Sequence, residues 1–147
     1  MKKIILTIAV IFLSISSFAQ IKVIEKTSVE IGYLRLGLSM DKNIVVTLDN
    51  NYYTFMYKDI QYTQITDYKY FSFKGKENLD GLYNIMMEQF KAEKNTELNI
   101  ELDGNTIIIV TKKMMGTPYL LVMVMAPRQP IGSFYVEPKY MDTLFGK

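Results

Sequence analysis

Apolar and polar positions change period several times along the chain, and each change marks an element. Leu34, Leu36, Leu38 and Met40 alternate with Arg35, Gly37 and Ser39, and Ile44, Val46 and Leu48 alternate again. Both runs predict strands with one buried face. Asp49, Asn50 and Asn51 carry short polar side chains that tolerate a left-handed backbone, so a hairpin loop is expected there, followed directly by a strand from Tyr52 to Lys58. The stretch 59–73 is rich in Tyr, Thr, Ile and Gln and predicts two short strands, at 62–65 and 69–73. Then the period lengthens: Leu79, Leu82, Tyr83, Met86 and Phe90 recur at helical spacing, with Asn78 as the N-cap and Asn95 just past the end. Gly81 costs that helix about 1 kcal/mol relative to alanine, which burial of the apolar face offsets.

After the helix, Leu98, Ile100 and Leu102 alternate, Asp103 and Gly104 signal a hairpin, and 106–111 is a β-branched run that reads as buried on both faces. Residues 115–118 turn the chain. A second apolar strand over 119–126 is closed by Pro127 and Pro130, which cannot donate ladder hydrogen bonds, and a short strand follows at 134–136. Pro138 suits a first helical position, Tyr140, Met141, Leu144 and Phe145 share one helical face, and Gly146 fits a C-terminal stop.

The expected fold is α+β, an antiparallel sheet or two sheets of about seven to nine strands with one long and one short helix. Asn43 and Asn105, Tyr53 and Tyr119, and Phe73 and Val136 are each separated by roughly 62 to 66 residues, which suits one duplication of a ββββα unit. Antiparallel meanders also echo one another without duplication. A ββββα unit used twice resembles the Whirly and PUR families of single-stranded nucleic-acid binders. The resemblance lies in element order alone, which implies a fold and not a function.

The chain opens with Lys2 and Lys3, an apolar run from Ile4 to Leu13 and a serine-rich stretch ending in Ser17, Phe18 and Ala19. This is the pattern of an export signal, with small residues at −3 and −1 and cleavage between Ala19 and Gln20. The apolar run falls short of the roughly 20 residues that span a bilayer. Residues 20–28 then read as a lead-in segment, and 29–147 as one domain, exported to the periplasm or the medium, with no membrane contact after cleavage.

Charge and composition narrow the function by exclusion. The chain holds 17 Lys and Arg against 15 Asp and Glu. Lys2 and Lys3 account for the difference and leave with the signal, so the mature protein is neutral and nucleic acid is not an expected partner. There is no cysteine and no histidine. Disulfides, a lipoprotein anchor, histidine-dependent hydrolysis, cysteine nucleophiles, histidine-ligated metals and haem attachment all lack a required residue. The glycines stand apart, without a phosphate-cradling loop, and no calcium-loop spacing occurs. Ten methionines raise copper(I) binding, but Met86, Met123 and Met125 fall where core filler explains them, so no metal or cofactor is expected.

Tyrosine is the remaining lead. Tyr52, Tyr53, Tyr57, Tyr62, Tyr68 and Tyr70 crowd one short stretch, and a tyrosine presents a flat apolar face with a polar tip. Alternation sends Tyr53, Phe55 and Tyr57 to one face and Tyr52, Thr54 and Met56 to the other, so half the set belongs to the core. Tyr52, Tyr57, Tyr62, Tyr68 and Tyr70 are the candidate contacts for a protein, peptide or glycan. Arg35 and Arg128, in a chain that otherwise uses lysine, read as solvent-exposed side chains, with an ion pair or a carboxylate-gripping site as the alternative. The expectation is an exported, non-catalytic binding or interaction module. The alternatives are a small hydrolase built on two of the scattered carboxylates, among them Asp59, Asp67, Glu97 and Glu101, and an inhibitor or immunity-type protein.

Overall fold

A computed structural model describes residues 27–37, 41–62 and 64–147. The export signal, its Ala19 and Gln20 junction, the lead-in up to Lys26 and Leu38 to Met40 lie outside the described residues. The chain is α+β, with two four-stranded antiparallel meanders. The first runs β1 (Val29–Leu34), β2 (Ile44–Asp49), β3 (Tyr52–Lys58), β4 (Tyr68–Lys74) and continues into helix α1 (Lys76–Gln89). The second runs β5 (Glu97–Leu102), β6 (Asn105–Met114), β7 (Thr117–Met125), β8 (Gly132–Val136), then a 3-10 turn (Pro138–Tyr140) and the five-residue helix α2 (Met141–Phe145).

Tight turns set the meanders. Asn50 and Asn51, Asp103 and Gly104, and Met115 and Gly116 all have positive φ, the two-residue turn whose twist matches that of paired strands. The helices are stopped by other means. The residue before α1 is Gly75, at φ 92, and no side chain caps the helix, whereas Gly146, at φ 68, closes α2 in the left-handed conformation.

Four local expectations are corrected by longer-range contacts. The first strand ends at Leu34 instead of running on to Met40, because Asn43 clips it: its N–H bonds Leu34 C=O and its side-chain oxygen takes the Leu36 N–H at 2.7 Å. Tyr62, Gln64 and Ile65 form no strand and lie between β3 and β4, where Asp59 N–H bonds Asp67 C=O. Asn78 is no cap, since α1 starts at Lys76 and the Asn78 amide donates to Lys74 C=O. Finally, the two faces of β6 are covered unequally: Ile107 and Ile109 are in the core, while on the outer face Val110 is buried and Ile108 only half-buried.

One core joins the halves. Phe55, Tyr57, Phe71 and Phe73 from the first sheet meet Ile107, Ile109, Leu120, Val122 and Phe134 from the second, with Leu82 and Met86 of α1 and Met141 and Leu144 of α2. Each helix lies against the sheet of the other half. α2 crosses β1 so closely that a β-carbon on Gly32 would collide with the carbonyls of Thr143 and Leu144. α1 reaches β6, where the Gln89 amide donates to Thr111 Oγ1 at 3.1 Å and Thr111 Oγ1 donates to Gln89 C=O at 2.8 Å.

The halves also close each other's sheet edges. Register from the Asn50–Asn51 turn makes Tyr68, Tyr70, Ser72 and Lys74 aim their backbone groups away from β3. Side chains of the second half take them: Gln129 bonds both Tyr70 N–H and C=O, Asn105 donates to Ser72 C=O, and Asp103 accepts from Lys74 N–H. On β8, the matching outward residue is Ser133. Its N–H goes to the Asp59 carboxylate at 3.1 Å and its C=O accepts from Ile60 N–H at 3.0 Å.

Candidate binding faces

The outer face of the first sheet collects exposed aromatic side chains on a stiff support. Register places Tyr33 opposite Val45, Val45 opposite Met56, and Met56 opposite Tyr70, one row across all four strands. Tyr33, Met56 and Tyr70 are exposed, Tyr70 by 55 %. Tyr68, one alternation along β4, stands beside the row, and its hydroxyl donates to Lys42 C=O at 3.3 Å. Arg35 and Lys42 lie over the Tyr33 ring, at 5.2 and 4.4 Å, Lys42 being ion-paired with Glu30, and Lys58 faces Tyr68. An apolar aromatic centre with a basic rim suits contact with a surface that carries carboxylates around an apolar patch.

Of the five tyrosines expected at a site, Tyr68 and Tyr70 come together. Tyr52 is exposed on the same face but four residues along β3 from Met56, about 13 Å away, with the hydrogen-bonded Thr54 and Ser72 hydroxyls between. Tyr62 sits in the loop beyond β3, its ring 5.5 Å from Lys69 Nζ. Tyr57 is a correction. It is 1 % exposed, packed 4.8 Å from the Phe134 ring, and contributes to the core instead of a contact face. Burial, followed by the nearby charges of Asp59 and Asp67, pushes its hydroxyl far above the ordinary tyrosine range. Tyr33 precedes the leucine alternation in the sequence, and nothing local shows that its row continues to Tyr70.

The second sheet presents a different outer face. Ile108 lies opposite Met123, and Val110 opposite Leu121, which lies opposite Tyr135. This aliphatic block runs toward an open cavity of about 590 Å³ lined by Leu36, Met114, Met115, Tyr119, Tyr135 and Glu137. Tyr119 and Tyr135 meet there edge to face, with centroids 5.3 Å apart. The paired methionines fall in separate places: Met86 on the buried side of α1, Met114 and Met115 at the β6–β7 turn, Met123 and Met125 on β7.

Between the halves, carboxylates approach a buried cation closely. Lys69 points inward from β4, bonds Asp59 and Ile131 C=O, and has Asp67 at 3.8 Å. Asp59 is fully buried, with Gln61 N–H and Ser133 N–H on its other oxygen. Burial alone would raise its carboxyl, but the hydrogen bonds from Lys69, Gln61 and Ser133 and the lysine charge outweigh it and hold the carboxyl below its ordinary value. A general acid needs the opposite shift and reach to a substrate. Both Asp59 oxygens are committed to holding the fold.

No family model, curated protein or solved structure matches this chain.

Proposed function

We propose that this chain is an exported, non-catalytic binding module that holds a protein partner on the outer face of its first sheet. The observation that carries the reading is the continuous row Tyr33, Val45, Met56 and Tyr70, flanked by Tyr68 and rimmed by Arg35, Lys42 and Lys58. A flat four-stranded face suits the flat surface of another protein, whereas a glycan or short peptide is better held in a groove. Tyrosine gives large contact area with few torsions to freeze on binding. The basic rim favours a partner with carboxylates around its contact patch, and the export-signal pattern of the opening peptide supports an encounter outside the cytosol.

Photo-reactive amino acids at Tyr70, at Tyr68 and at Tyr135 on the second sheet test this in the native host. Adducts of one mass at Tyr68 and Tyr70, absent at Tyr135 and lost on Arg35→Glu, are the expected result. No polypeptide adduct at Tyr68 or Tyr70, or equal adducts at Tyr135, overturns it. Mature protein beginning at Gln20 in the exported fraction checks the address.

The recurring ββββα order fits an origin in one duplicated unit. Support comes from the matched positions Tyr70 and Ser133, each followed by a buried phenylalanine and each held by the other half, and from Asn43 and Asn105 at the starts of β2 and β6.

A further inference from the structure

The outer edge of β5 has no paired strand among the described residues. In the hairpin that turns at Asp103 and Gly104, Leu102 and Asn105 exchange both backbone hydrogen bonds, and so do Ile100 with Ile107 and Leu98 with Ile109. The Thr111 N–H bond to Thr96 C=O continues this pattern toward the hairpin's open end. Glu97, Asn99 and Glu101 therefore aim their N–H and C=O groups away from β6. Among the described residues nothing takes them, in contrast to Tyr70 and Ser133 on the two edges that the halves close. The remaining edge, β1, is broken by a bulge between Glu30 and Gly32 and has Gly146 against Ile31. β5 has no bulge, and its inward Leu98, Ile100 and Leu102 are only half-buried.

Charge decides what can pair there. Glu97 and Glu101 flank Asn99 on the outer face, and among the described residues neither meets a cation; the near neighbour of Glu97 is the Asn99 amide, at 3.1 Å. A second copy pairing antiparallel about Asn99 would set Glu97 directly opposite Glu101 of that copy, a like-charge pair that opposes association. A strand with lysine or arginine at those two positions turns both contacts attractive, and apolar residues between them would cover the half-open leucines and isoleucine.

We propose that the β5 edge binds an extended cationic segment of another polypeptide by strand addition, with basic side chains opposite Glu97 and Glu101 and main-chain hydrogen bonds to Glu97, Asn99 and Glu101. The site is separate from the tyrosine face and does not depend on it. The probe is the capped peptide Lys-Val-Thr-Val-Lys-Val, with Glu-Val-Thr-Val-Glu-Val as its counterpart, and the readout is amide hydrogen exchange across the protein. At saturation the basic peptide should slow exchange at Glu97, Asn99 and Glu101 by about tenfold, while the acidic peptide leaves them unchanged.

Asn99→Pro deletes the central outward N–H without touching a bond to β6 and should abolish the protection, with unchanged exchange at Ile107 and Ile109 showing an intact sheet. The Glu97→Lys and Glu101→Lys pair should transfer the preference to the acidic peptide, and it tests the proposal even if the proline variant unfolds. Equal protection by both peptides, protection confined to the tyrosine face, or β5 amides already protected in a dimer without peptide would each overturn it.

Discussion

Ser133 on β8 and Tyr70 on β4 occupy matching places in the two halves, and each has its outward backbone groups taken by the loop of the other half. The means differ. Ser133 is closed by a buried carboxylate, Asp59, which also bonds the buried ammonium of Lys69. Tyr70 is closed by the neutral amide of Gln129 at the surface, whose oxygen and nitrogen copy the acceptor and donor of a paired strand. The difference follows from Lys69, which alternation aims into the interior between the halves; its charge needs a partner there, and Asp59 supplies one while closing the edge. The outer faces diverge as well, tyrosine with a basic rim on the first sheet and aliphatic side chains on the second. One element order thus carries two surfaces of different chemistry, because sheet pairing fixes the inward positions and leaves the outward ones open to change.

The contrast between the two closures can be broken most strongly at Asp59. Asp59→Ala leaves Lys69 buried without its carboxylate and should destabilise the protein by about 3–5 kcal/mol, read from urea unfolding. Replacing both partners, Asp59→Leu with Lys69→Met, should recover most of that loss; a double variant as unstable as the single would mean that closing the edge at Ser133 matters more than the charge.

Acid probes the same pair more gently. Asp59 is held below its ordinary value of 3.8 in the folded protein, so its contribution is present above that value and drains away as pH falls through the lower folded value. The urea midpoint should therefore drop below about pH 4 in the wild type. The drop should be smaller in the double variant.

Gln129→Ala should cost least, about 1 kcal/mol, since water can take over the backbone groups of Tyr70. Faster amide exchange at Tyr70 with little change at Ser133 would show that the two closures act independently. A loss matching that of Asp59→Ala would erase the distinction drawn between them.

Much of the fold was legible because it is local. The turns at Asn50 and Asn51 and at Asp103 and Gly104, the alternation through β2, β3 and β5, and the helical spacing of Leu79, Leu82 and Met86 each need only a few neighbouring residues to form. The misreadings have a common cause. Leu36 alternates like a strand residue but is held off the sheet by Asn43, and the strand composition around Tyr62 and Ile65 falls between Asp59, which with Ile60 bonds the other half, and Asp67, which accepts from Asp59 N–H. For the candidate face, alternation separated Tyr53 and Tyr57 from Tyr52, and it could not say which set faces solvent.

The amino-acid sequence by itself settled the α+β class, the hairpins, the main helix and the absence of thiol and imidazole chemistry, since these rest on backbone preference, short-range period and composition. Only the tertiary structure decided that Tyr57 fills the core, that Tyr33 joins Met56 and Tyr70, that Asp59 and Gln129 close the edges of distant strands, and that β5 stays open among the described residues. Those outcomes depend on which far segments meet, and pairing across tens of residues is set by the burial of the whole core, which no local window contains.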